Sequence, residues 1–161
     1  MTPQAGRTLN ALLFGAFMVS MDRTIVSIAL PTIVQELQAT ISYAWIASAY
    51  MFAGALALPV AGRLLDLMDG RRLMLGSIAL FLLGSVLCGF SPNLEALVLA
   101  RFIQGLGGGS FLAIAAGLVG LLFDPKDRGH AVGKLGMVLA VSSVVAPVLG
   151  GVLRSEERRG G

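Results

Sequence analysis

Long apolar stretches alternate with short polar breaks along the whole chain, and the apolar positions show no period of two. Five stretches, residues 9–30, 44–65, 73–91, 96–122 and 133–153, approach or exceed the roughly 20 apolar residues needed to cross a hydrocarbon core about 30 Å thick. Backbone groups in lipid must be paired within the segment, so runs of this length are helices, and the missing alternation argues against a membrane barrel. The pattern predicts an all-α membrane protein with five transmembrane helices joined by short Gly-, Pro- and Asp-containing connections. The first stretch is not a cleavable signal, because Asp22 and Arg23 interrupt it and further apolar spans follow.

Composition agrees with this pattern. Of 161 residues 56% are hydrophobic and 13% charged, against about 45–50% and 25% in soluble domains. The mean hydropathy of +0.84 makes lipid the natural solvent. A net charge of +3 would suit nucleic acid if the basic residues formed a stripe, but they lie in short clusters between apolar runs. The expected partner is therefore the bilayer, with no nucleic acid. Arg7, Arg63, Arg71, Arg72, Lys126 and Arg128 fall on one side, whereas the opposite loops, near Pro31–Tyr43 and Ser91–Glu95, carry no Lys or Arg. Basic residues stay inside, so the chain reads as multi-pass in the cell membrane with a cytoplasmic N-terminus. Residues 154–161 are the exception, a polar tail whose Arg154, Arg158 and Arg159 would lie outside; it reads as foreign to the preceding helices.

Two ionisable residues stand out within the spans, Asp22 and Arg101. Each costs at least about 2.5–3.5 kcal/mol in mid-membrane unless paired or hydrated. Asp22 reads either as a proton or cation site or as the partner of a group on another helix. Arg101 keeps its proton and supplies a fixed charge. Asp22 and Arg23 are neighbours in sequence but point about 100° apart on a helix, so they do not pair. Gly105, Gly107, Gly108 and Gly109, with Gly133, Gly136, Gly150 and Gly151, offer faces for close helix approach. Pro147 removes a backbone hydrogen bond within the fifth span. His130 reads as a solvated loop residue and Cys88 as a small core residue. No metal-ligand cluster, cofactor loop or catalytic constellation is visible, so the chain is not read as an enzyme.

The motifs resemble the major facilitator superfamily, and within it the fourteen-helix drug:proton antiporters. The run from Met21 to Pro31 is similar to the subfamily's D-x-T-I-V-N-V-A-L-P signature, with Ser27 in place of Asn. Trp45, Ala49, Tyr50 and Pro59 stand where it has W-x-x-x-A-Y and a later proline. Gly62, Leu64, Asp66, Arg71 and Arg72 resemble the loop G-x-L-x-D-R-x-G-R-[KR], although Leu67 replaces a basic residue and Gly70 comes one place late, after Asp69. Arg101, Gln104, Gly105 and Gly107 match R-x-x-Q-G-x-G. Gly133, Ser142, Ala146, Pro147 and Gly150 follow the antiporter pattern G-x8-G-x3-G-P-x2-G, with two small replacements.

The resemblance implies proton-coupled efflux of small amphipathic molecules or drugs, with Asp22, Arg101 and Gln104 on the proton and substrate pathway. It implies that Asp66 latches one half of the protein to a helix of the other. Family members have two six-helix halves, and this chain holds five spans. It is therefore read as an incomplete N-terminal half, inactive alone, whose glycine faces lack their partners. A non-transport membrane subunit or a small oligomeric carrier is the competing reading.

The orientation is testable in a Cys88→Ala background. An impermeant thiol reagent added outside should label Asn93→Cys and not Asp69→Cys; the reverse labelling would overturn the topology.

Overall fold

The computed structural model describes the backbone of residues 3–36 and 44–157 and the side chains of residues 6–23 and 44–145. Five helices appear among them: α1 (Pro3–Glu36), α2 (Ala44–Leu67), α3 (Gly70–Gly89), α4 (Leu94–Leu122) and α5 (Pro125–Glu157). The chain is an all-helical membrane protein, and α2, α3 and α4 are each long and apolar enough to cross a bilayer. α1 and α5, with 34 and 33 residues, extend to about 50 Å at 1.5 Å per residue and outrun the hydrocarbon core. The tail residues 154–157 continue α5, and 158–161 lie outside the described residues.

Local chemistry explains where the helices start and stop. Asp69 caps α3, its carboxylate accepting from the Arg71 N–H at 3.3 Å. Asn93 caps α4 through the Ala96 N–H at 2.9 Å. The sequence places His130 in a loop, but α5 already begins at Pro125 and His130 is an exposed residue within it. The reason lies in Asp124-Pro125-Lys126-Asp127: the Asp124 carbonyl accepts from the N–H groups of Asp127 and Arg128 at 2.8 and 3.1 Å. Proline loses nothing at a first helical position, and Asp127 in the first turn suits the helix dipole. Arg128 then donates from Nε to the Phe123 carbonyl at 2.9 Å and satisfies an acceptor at the end of α4.

α4 is the axis of the assembly. It lies between α2 and α3, which barely meet, while α5 packs mainly on α1 and α1 reaches α4. Glycine permits this arrangement. A Cβ on Gly109 would lie 2.5 Å from the Cα of Gly54 in α2, and one on Gly84 of α3 would lie 2.5 Å from the Cα of Gln104. A Cβ on Gly107 would strike the backbone of Phe81. Phe111, fully buried, fills the space left by Gly15 of α1 and joins Leu12, Val19 and Tyr50 in the core. The Gly105–Gly109 face is thus used within the chain, and the expectation that it lacks a partner is corrected. Gly133 and Gly136 do face open space. Large apolar side chains such as Phe14, Phe52, Leu83 and Leu121 point outward, as suits a surface wetted by lipid tails.

The contrast between these glycines gives a test. Gly109→Ala should destabilise the chain by about 1–3 kcal/mol, since backbone must move to admit the methyl. Gly133→Ala should be neutral or stabilising by up to about 1 kcal/mol through helix propensity. Unfolding of both variants in detergent micelles measures the difference.

Candidate functional site

Asp22 projects from α1 toward α3 and α4, where four other polar side chains converge. Arg101 and Gln104 share one face of α4, because residues three apart in a helix are neighbours. Gln104 donates from Nε2 to Asp22 Oδ2 at 2.7 Å, and Arg101 donates from Nη1 to the same oxygen at 3.4 Å. The Ser85 hydroxyl of α3 donates to Asp22 Oδ1 at 3.4 Å. Arg101 Nη1 also donates to Gln104 Oε1 at 2.6 Å, and the Cys88 thiol reaches that oxygen at 3.7 Å. The sixth member is Tyr50 of α2, whose ring lies 4.8 Å from the Arg101 guanidinium carbon and 5.4 Å from that of Arg23.

Arg101 and Gln104 are almost completely buried, at 4% and 1% exposure. A guanidinium in such a place needs a countercharge and a negative π face, and Asp22 and Tyr50 supply them. The balance is incomplete, because Arg101 Nε is buried with no hydrogen-bond partner. Asp22 is less enclosed, with 21% of its side chain exposed, so it is the member of the ion pair that remains reachable from outside.

The structure brings together Asp22, Arg101 and Gln104, which the sequence singles out. It adds Ser85 and Cys88, three apart on α3, and gives Tyr50 a role in contact with both arginines. Cys88 is half-buried and hydrogen-bonded, rather than a purely apolar core residue. The remaining motifs lie elsewhere. Gly62 and Asp66 are exposed near the end of α2, and Arg71 and Arg72 are exposed in the first turn of α3. Gly70 begins α3 against Leu118 of α4 and Leu65 of α2. On α5, Gly133 is exposed, whereas Ser142 is fully buried and bonded to the Val138 carbonyl at 2.7 Å. The side chains of Ala146 and Pro147 and the surroundings of Gly150 lie outside what is described, although all three positions fall within α5.

The family model described as Major Facilitator Superfamily matches residues 12–155. The chain belongs to that superfamily. It is 39% identical over 142 residues to Multidrug resistance protein 3 of Bacillus subtilis, covering 88% of this chain and 28% of that protein. It is 37% identical over 145 residues to the efflux pump dotC of Dothistroma septosporum, covering 90% and 25%. The chain thus spans about a quarter of the length of these relatives. Its fold is similar to a bacterial homologue of the human lysosomal transporter Spinster, crystallised in an inward-facing and unoccupied conformation. The TM-score is 0.78 at 21% identity, covering 95% of this chain and 32% of that one. Within the Major Facilitator Superfamily the proteins are transporters rather than enzymes, and the fold of this chain is that of a partial transporter.

The polar cluster should behave as a coupled unit. Arg101→Met leaves Asp22 without its countercharge and should cost about 3 kcal/mol, the low end for a broken buried pair because Asp22 keeps some exposure. Adding Asp22→Asn should cost less than the sum of the two single changes, in a double-mutant cycle read by unfolding in detergent.

Proposed function

We propose that in the full-length protein this chain forms most of the first half of a secondary transporter that exports small amphipathic molecules, drugs among them, in exchange for protons. The observation that carries the reading is the Asp22 carboxylate. It is held by Ser85, Arg101 and Gln104 from two other helices, within a membrane span, yet keeps a partly open side. A carboxylate so placed can exchange a proton while Arg101 remains a fixed positive charge. The names of the efflux relatives support the direction of transport.

In this reading Asp66, exposed beside Gly62, Gly70, Arg71 and Arg72, is free to latch against a helix of the second half. Gly133, Ser142, Ala146, Pro147 and Gly150 mark the helix of the antiporter motif. The protein lies in the cell membrane with its N-terminus in the cytoplasm. Alternating access needs two halves rocking about a midplane site, so residues 1–161 expressed alone insert without transporting.

Both parts can be measured. In the full-length protein Asp22→Asn should abolish dye export driven by a pH gradient while the amount in the membrane stays unchanged; export equal to the parent's would make Asp22 purely structural. Cells making residues 1–161 alone should extrude dye no faster than empty-vector cells, and Asp22-dependent extrusion above that control would show that five helices suffice.

A further inference from the structure

A second feature lies beside the proton cluster, and the mechanism above does not use it. A cleft of about 230 Å³ opens between α2 and α4, with Arg23 of α1 at its edge. Met51, Gly54 and Leu58 of α2 and Leu112 of α4 form its apolar wall, and the buried Tyr50 also lines it. The close approach of Gly54 and Gly109 keeps side chains out of its floor. The volume suits a fused ring or a short alkyl chain rather than an entire drug-sized molecule.

Among the described residues the charge of this cleft is unbalanced. Asp22, the nearest acid in sequence, is turned toward Ser85, Arg101 and Gln104. Arg101 answers its charge. Arg23 is exposed and has no ion pair or hydrogen bond among the described residues; its contact is the Tyr50 ring at 5.4 Å. Asp22, Arg23 and Arg101 together therefore carry one positive charge in excess. The sequence-predicted span 9–30 puts Arg23 within about one helical turn of the bilayer middle, beyond easy reach of lipid headgroups. An uncompensated guanidinium at that depth costs several kcal/mol in hydrocarbon, so it belongs in a wet cavity or opposite an anion.

We propose that this cleft is a substrate subsite selective for amphipathic molecules carrying an anionic group, with the anion on Arg23 and the apolar part against Met51, Leu58 and Leu112. Arg23 is then the residue that determines specificity. Its guanidinium offers a carboxylate or sulfonate two parallel N–H donors. Tyr50 steers the guanidinium from below and gives the apolar part of the substrate an aromatic edge. The inference rests on the transport reading for its physiological meaning, but the binding chemistry stands on the cleft itself.

The test uses the purified full-length protein in detergent, with 2-naphthoate and its neutral isostere 2-naphthamide as probes of equilibrium binding. The parent should bind the carboxylate about tenfold more tightly than the amide. Arg23→Gln should remove that preference by weakening carboxylate binding far more than amide binding, and Arg23→Lys should retain part of it. Equal binding of the two probes by the parent would overturn the proposal, as would a preference that survives Arg23→Gln. Loss of folding in Arg23→Gln, with no carboxylate preference in the parent, would assign Arg23 to an acid elsewhere in the protein and overturn it equally. Vesicle export separates the two readings. Arg23-dependent naphthoate binding without export supports the subsite and sinks the exporter, whereas Asp22-dependent export of the cation ethidium with no naphthoate binding does the opposite.

Discussion

The structure depends on how closely α4 can approach its neighbours. In lipid there is little hydrophobic gain from bringing helices together, so association relies on packing and on interhelical hydrogen bonds, both of which demand close contact. The run from Gly105 to Gly109 removes side chains from two sides of α4 at once. It lets α2 approach through Tyr50 and Gly54, and α3 through Phe81, while Gly84 of α3 lets that helix close on Gln104. Only with both neighbours so near can Arg101 and Gln104, in the preceding turn of α4, be enclosed and still find Cys88 and Tyr50 within reach.

That enclosure decides the electrostatics. A buried guanidinium is tolerated here because Asp22 crosses from α1 and because a tyrosine face covers it. The same acid then has nothing left for Arg23, whose position one residue later turns it by about 100°. Adjacent charges of opposite sign in the sequence thus become two different things in space, a neutralised interior pair and a cation that lines a cleft and has no ion pair among the described residues. This division is what separates the proposed proton site from the proposed substrate subsite.

The gross architecture was legible because charge is so sparse: most Lys and Arg clusters lie at or near helix ends, and the apolar runs between them mark the helices. The prominence of Asp22 and Arg101 was legible for the same reason, since ionisable groups in a span are expensive wherever they point. Three things were not. Ser85 and Cys88 give no signal of their own in an apolar run, because small polar residues are common in membrane helices and only the packing of α3 on α4 brings Ser85 to Asp22 and Cys88 to Gln104. The fate of the Gly105–Gly109 face depended on tertiary packing that one sequence does not encode locally. The start of α5 was the third: Asp124 and Pro125 form an N-terminal signal, but the polar composition of the next residues masked it. A polar helical turn outside the membrane and a loop share the same composition, and only the capping geometry tells them apart.

The distances within the cluster also indicate which part of it can change. Arg101 and Gln104 share a helix and the shortest bond of the group, 2.6 Å, so they form a fixed pair. Asp22 comes from a separate helix and is held by one short bond, from Gln104, and two long contacts of 3.4 Å, from Arg101 and Ser85. Protonation of Asp22 would remove the charge that makes the long Arg101 contact worthwhile, while leaving Arg101 bound to Gln104 and stacked on Tyr50. The unpartnered Arg101 Nε already shows that the guanidinium is not fully satisfied, and a buried donor in that condition costs about 1–3 kcal/mol. Losing Asp22 raises that cost, and α1 then has less reason to stay against α4. In the proposed transport reading, a proton arriving at Asp22 would in this way weaken the α1–α4 contact, and α1 is also the helix that carries Arg23, a residue lining the cleft.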